Sequence, residues 1–187
     1  MDPITALSRS FDAAFNVIAA VQDDQWALPT PCTEWDARAL GNHLMGGALM
    51  VATCVPGDEI DPSVFADDLL GEEPAASYRA VADQAAEAFT ADPSVLGKMV
   101  KMPFGEMPGG AVAAIFASDH FTHAWDLAKA TGQSTDLDPE LADYLLESSK
   151  GFVGEDFRKP GFFGAEVSAP TGATAADRLA AFLGRSV

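Results

Sequence analysis

Residues 110–132 read GAVAAIFASDHFTHAWDLAKATG. Apolar positions recur there at three- and four-residue steps (Val112, Ile115, Phe116, Leu127, Ala130), so one amphipathic helix is expected over about 110–131. Lys129 falls in its last turn and Gly132 just beyond it, a favourable C-terminus. Asp119 and His123 lie on the apolar stripe, four residues apart, which places their side chains side by side. A carboxylate on such a stripe must be paired, hydrogen-bonded, neutralised or bound to a metal. Neither Lys nor Arg shares the stripe.

Working outward, helix starts are marked by Asp followed by Pro, at Asp2-Pro3, Asp61-Pro62, Asp92-Pro93 and Asp138-Pro139. Asp accepts from the free N–H groups of a first turn, and Pro fits the first helical position because it has no N–H to leave unpaired. The spacing predicts helices over about 3–21, 33–54, 75–91, 110–131 and 139–150, with a short last one in TAADRLAAFLG. The second is expected to start from a capping box of Thr33 with Asp36. The segments after Asp61 and Asp92 suit single turns. VLGKMVKMPFGEMPGG, 95–110, is too rich in Gly and Pro for one helix and suits a short strand or hairpin. Residues 151–170 read as irregular or partly extended.

The expected fold is therefore all-α in the main. Residues 1–150 form a helical bundle, and 151–187 form a small C-terminal extension packed on it. The long connection between the second and third helices permits a crossover rather than strict up-down order.

Composition narrows the function. The net charge is −17, and the eleven basic residues are scattered, which argues against nucleic-acid binding. No apolar run approaches the ~20 residues of a membrane helix, and the N-terminus lacks the pattern of a secretory signal. A cytoplasmic protein is expected. Cys32 and Cys54 are the only cysteines, too few for a disulfide scaffold or a thiolate zinc knuckle.

The second helix carries Leu40, His43, Leu44, Gly47, Val51 and Cys54 on one stripe. If it faces 110–131, His43 joins Asp119 and His123. Two imidazoles and a carboxylate suit a divalent transition metal, and three protein ligands leave coordination positions open, as in catalytic sites. By spacing alone, an ion pair of Asp119 with a protonated His123 stands level with that reading. His120, about 100° round the helix from Asp119, reads as a surface or rim residue. Cys32 precedes a helix start that could lower its pKa, but packing in a tight turn is the favoured reading. Gly46 and Gly47 read equally as substrate space or as close helix packing. Asp126 reads as a partner of His123 or as an ordinary structural acceptor.

At these residues the chain resembles the mycothiol-dependent maleylpyruvate isomerase N-terminal-like and DinB/YfiT-like metal-binding proteins. PTPCTEWDARALGNHL around His43 and DHFTHAWDLAKATGQ around Asp119 and His123 carry the resemblance, and ADRLAAFLGRSV resembles the end of an uncharacterised actinobacterial subgroup. The resemblance implies a DinB/YfiT-like four-helix bundle around one zinc or nickel ion, with His43, Asp119 and His123 as its ligands. It implies a small-molecule thiol, mycothiol or similar, as co-substrate, and a small electrophile as substrate, in a transferase or isomerase reaction. By this resemblance the isomerase's acidic ligand is Glu where this chain has the shorter Asp119, and its larger C-terminal domain looks truncated here. A metal-dependent hydrolase and a non-enzymatic metal- or ligand-binding protein remain alternatives. An iron oxygenase follows from the ligand pattern alone. The absence of HExxH weighs against a protease-like hydrolase. A homodimer is compatible with the sequence.

Overall fold

Each of the four Asp-Pro pairs starts an element, as its chemistry requires. In the computed structural model, which describes residues 1–155, 158 and 163–187, Asp2 accepts from Ile4 and Thr5 at the head of α1 (Pro3–Ala20). Asp138 accepts from Leu141 at the head of α5 (Pro139–Phe152). Asp61 and Asp92 cap single-turn 3-10 segments, Pro62–Ala66 and Pro93–Gly97. Between them lies α3 (Pro74–Thr90). Strands β1 (Met99–Met102) and β2 (Gly105–Pro108) pair antiparallel, Met99 opposite Pro108, and lead directly into α4 (Gly109–Ala130). The chain closes with α6 (Ala175–Phe182), which packs on α5 and α4. Of the irregular segment expected over 151–170, positions 156, 157 and 159–162 lie outside the described residues.

The start of α2 differs from expectation. It spans Ala37–Cys54, and its cap is Asp36, which accepts from the Ala39 amide, rather than Thr33. Residues before it are held in a turn by competing bonds: Thr30 Oγ1 accepts from the Cys32 amide and donates to the Trp35 carbonyl at 2.8 Å. With Thr30 closing that turn, the helix can begin only after Trp35.

α1 and α2 each pack against both α3 and α4, while α1 barely touches α2. The helices thus run round the bundle as α1, α3, α2, α4, with α1 diagonal to α2 and α3 diagonal to α4. The α1–α2 and α3–α4 connections cross the bundle, while the long α2–α3 connection joins neighbours, so the order is not strictly up-down. Trp125, Tyr78, Phe11, Phe89 and Phe121 are the largest fully buried side chains, each contributing about 1.5–3 kcal/mol of burial. Trp125 also donates to Asp177 Oδ1 at 2.8 Å, tying α4 to α6.

The core face of α4 is centred further round the helix than the periodicity predicts. Ile115 is 40% exposed, whereas His120 is 0% exposed. The reading of His120 as a surface residue is therefore wrong. Small residues on the far side (Ala113, Ala117, Ala124, Ala128) let neighbouring helices close over it, and their low hydrophobicity hid that face. The ring packs edge-on against Phe11, centroids 4.7 Å apart. Its Nδ1 lies 2.9 Å from the Phe116 carbonyl and its Nε2 3.0 Å from the Leu44 carbonyl. Burial, opposed by Asp119 and these carbonyls, pushes its pKa down to about 4.

Opposite stands Gly47, where a Cβ would lie 2.8 Å from His120 Cε1. Gly47 is thus a close-packing residue. At Gly46 a Cβ would meet Phe65 at 3.2 Å. Replacing Gly47 by Ala adds up to about 1 kcal/mol of helix propensity, but a fully buried ring packed edge-on against Phe11 has no room to retreat, and overpacking costs about 1–3 kcal/mol. Gly47→Ala should lower the midpoint of denaturant unfolding without altering its slope.

α5 is fastened to α1 by Arg9, whose Nε and Nη2 donate to the two oxygens of Asp138 at 2.7 and 2.6 Å. Burial favours the neutral Asp138 carboxyl, but Arg9 and the Leu141 amide outweigh it, and the pKa falls below its ordinary value. A depressed carboxylate stabilises the fold above its unfolded pKa, about 3.9. That contribution is lost as pH drops through the lower folded value. Asp138→Asn should therefore cost on the order of 1 kcal/mol at pH 7, and the gap from the unmodified protein should close below about pH 3.9, by thermal unfolding across pH.

Candidate metal centre

His43 projects from α2, and Asp119 and His123 from successive turns of α4, at the rim of the shared interface. His43 Nε2 lies 3.2 Å from Asp119 Oδ1, and His123 Nε2 lies 3.5 Å from the same oxygen. The two imidazole centroids are 4.8 Å apart. Side-chain exposures of 33%, 27% and 12% for His43, Asp119 and His123 put the cluster at an accessible mouth rather than in a sealed core.

Burial works against charge on His43, but the hydrogen bond and charge of Asp119 outweigh it and raise its pKa. For Asp119, burial is overcome by the facing imidazoles of His123, His43 and His120, and its carboxyl is held well below the usual range. Among the described residues its ion-pair partners are these histidines alone. Trp35 covers one side, its ring 4.6 Å from that of His43 and 5.8 Å from that of His123.

Three donor atoms around a tetrahedral ion with bonds of about 2.0–2.2 Å stand about 3.3–3.5 Å apart. The 3.2 and 3.5 Å separations match that spacing. One donor from each of the three residues falls within 4.8 Å of the others. The donor set thus suits a divalent metal in its chemistry, and the two separations to Asp119 suit it in size.

A second group lies behind His123. Asp126, fully buried, has Oδ2 3.0 Å from His123 Nδ1. An ionised carboxylate only accepts, so Nδ1 carries a proton and Nε2 is the nitrogen turned toward Asp119 and the mouth. Asp126 takes two further contacts from Arg185, at 3.0 and 3.3 Å, and the Cys32 thiol donates to it at 3.3 Å. Burial first, then the Asp126 charge, pushes the Cys32 pKa up to about 12. The alternative reading, that a helix start lowers it, is therefore reversed, because burial and the Asp126 charge both favour the neutral thiol. Nor does Cys32 simply fill a turn, since its Sγ is 3.7 Å from His123 Nδ1. Cys32, His123 and Asp126 also have donor atoms within 4.8 Å of one another. Their atoms are engaged by two protons and a guanidinium, which leaves that group poorly suited to a further cation.

Sequence spacing offered Asp126 as a partner of His123 beside an ordinary structural role, and the structure shows the pairing. The spacing missed Arg185, which lies 59 residues further along the chain and carries no local signal.

The family model of the mycothiol maleylpyruvate isomerase N-terminal domain matches residues 7–128, the stretch that holds α1 to α4 and all three clustered side chains. Two uncharacterized proteins of Mycobacterium tuberculosis, from strains CDC 1551 and H37Rv, are each 43% identical over 188 residues, covering 100% of this chain and 100% of each relative. No solved structure matches the chain. The chain belongs to the mycothiol maleylpyruvate isomerase N-terminal domain family.

Proposed function

We propose that the protein holds one divalent metal ion, zinc or nickel, through His43, Asp119 and His123, and uses it in thiol-dependent transfer to, or isomerisation of, a small electrophile. The observation that carries the reading is one carboxylate and two imidazoles from two helices, at separations of 3.2 and 3.5 Å, with no Lys or Arg paired to the carboxylate among the described residues. When bound, the ion supplies a Lewis acid that favours the deprotonated form of an incoming thiol, whose reference pKa is near 8.5.

The protein's own residues do the rest. Two neutral imidazoles and one carboxylate leave a divalent site with a net positive charge, which attracts an anionic sulfur. Trp35 walls off one side. Beyond His43 opens a cavity of about 280 Å³ whose lining includes Trp35, Asn42, Met50, Phe65 and Leu69 and contains no Lys or Arg. Such walls stabilise an uncharged co-substrate by apolar burial and offer a dicarboxylate no counter-charge. The thiol comes from solution, because Cys32 is protonated and turned toward Asp126.

Elemental analysis tests the ligand set. The purified protein should carry close to one zinc or nickel per chain, and His43→Ala and Asp119→Ala should lose it. Cys32→Ser should retain it, whereas loss there would transfer the site to Cys32, His123 and Asp126. His120→Ala is unsuitable as a control, since it empties a core position.

Reaction class is tested with mycothiol or a simple thiol against a panel of electrophiles. Metal-dependent conjugation should be at least tenfold faster with uncharged members than with dicarboxylates of similar size, a difference of about 1.4 kcal/mol in the barrier. If cobalt-substituted protein shows no spectral change on adding thiol, the transferase reading falls and the hydrolase or binding-protein alternative takes its place.

A further inference from the structure

We infer that Arg185, in the tail beyond α6, is a positioning residue for His123 acting through Asp126. The inference rests on the proposed metal reading only for its second readout.

The tail is aimed by the end of α6. Gly184 adopts φ +95°, a conformation that side-chain-bearing residues rarely take, and the chain reverses there. The Gly184 amide donates to the Ala181 carbonyl at 3.0 Å and the Arg185 amide to the Ala180 carbonyl at 2.9 Å, closing the helix in a glycine cap. Arg185 is thereby turned back toward α4. Its Nη2 donates to Asp126 Oδ2 at 3.0 Å, its Nε contacts Oδ1 at 3.3 Å, and its Nη1 contacts the Leu183 carbonyl at 3.3 Å. The guanidinium side chain is only 14% exposed and Asp126 is fully buried, so the fork holds the carboxylate plane in one orientation.

That plane decides how His123 stands. Oδ2 receives Nδ1–H at 3.0 Å, which fixes both the ring angle and the tautomer that leaves Nε2 free beside Asp119. Without Arg185 the carboxylate could turn, and a buried negative charge would lack its counter-charge. The family match ends at residue 128, so this support comes from outside the matched bundle.

The test uses full-length Arg185→Gln and Arg185→Lys. Imidazole nitrogen shifts of the metal-free protein, recorded near pH 8.5, report the His123 tautomer. Cobalt competition reports metal affinity. The unmodified protein should show protonated Nδ1 and unprotonated Nε2. Arg185→Gln should show mixed tautomers and bind cobalt about 10–100-fold more weakly. Arg185→Lys, which keeps the charge but not the fork, should fall between. Should the glutamine variant fail to fold, the lysine variant carries the test with the same two readouts. Unchanged tautomer and affinity in a folded variant would overturn the inference. If the unmodified protein binds no cobalt but the tautomer still shifts, the positioning role stands and the metal reading fails.

Discussion

The seat of the His120 ring on the bare backbone of Gly47 sets the distance between α2 and α4, and the candidate site depends on that distance. His43 is one turn before Gly47, and Asp119 and His123 flank His120. A contact 2.8 Å from where a side chain would begin leaves no slack. Each ring nitrogen lies within 3.0 Å of a carbonyl, one on each helix, and the single N–H of the neutral ring donates to one of them. The core thus works as a jig: a buried histidine that binds nothing from solution fixes where three rim residues converge.

The two acidic residues of this region meet their desolvation in different ways. Asp126 is fully buried and satisfied by a guanidinium, an imidazole N–H and a thiol. Asp119, 27% exposed, pairs with imidazoles alone among the described residues. One carboxylate is thus charge-balanced within the protein, and the other stands where a cation can reach it. This division of labour explains why two clusters of similar composition, sharing His123, differ in what they can hold.

Much of this was legible in the sequence, and the exceptions are instructive. The Asp-Pro pairs marked four true element starts because capping is a local interaction of adjacent residues. The juxtaposition of His43 with Asp119 and His123 followed from placing each on a helix face. Local reasoning failed where small residues were decisive. Alanines gave the far side of α4 too little hydrophobic signal, so His120 was put outside and Ile115 inside. It failed again where tertiary surroundings decided: Thr30 pre-empted the cap at Thr33, and burial together with Asp126 determined the state of Cys32.

The diagonal placement of α1 against α2, and of α3 against α4, has a consequence for how the chain reaches this state. In an up-down bundle, adjacent helices close into hairpins and fold through local contacts. Here α1 must find α4 across the intervening residues 21–108, and α2 meets α4 only after α3 is made. Loop closure over such separations slows the search. During synthesis α3 can cover part of α1 and α2, but the faces that meet α4 stay open until the last bundle helix leaves the ribosome, a window in which the nascent chain exposes apolar surface.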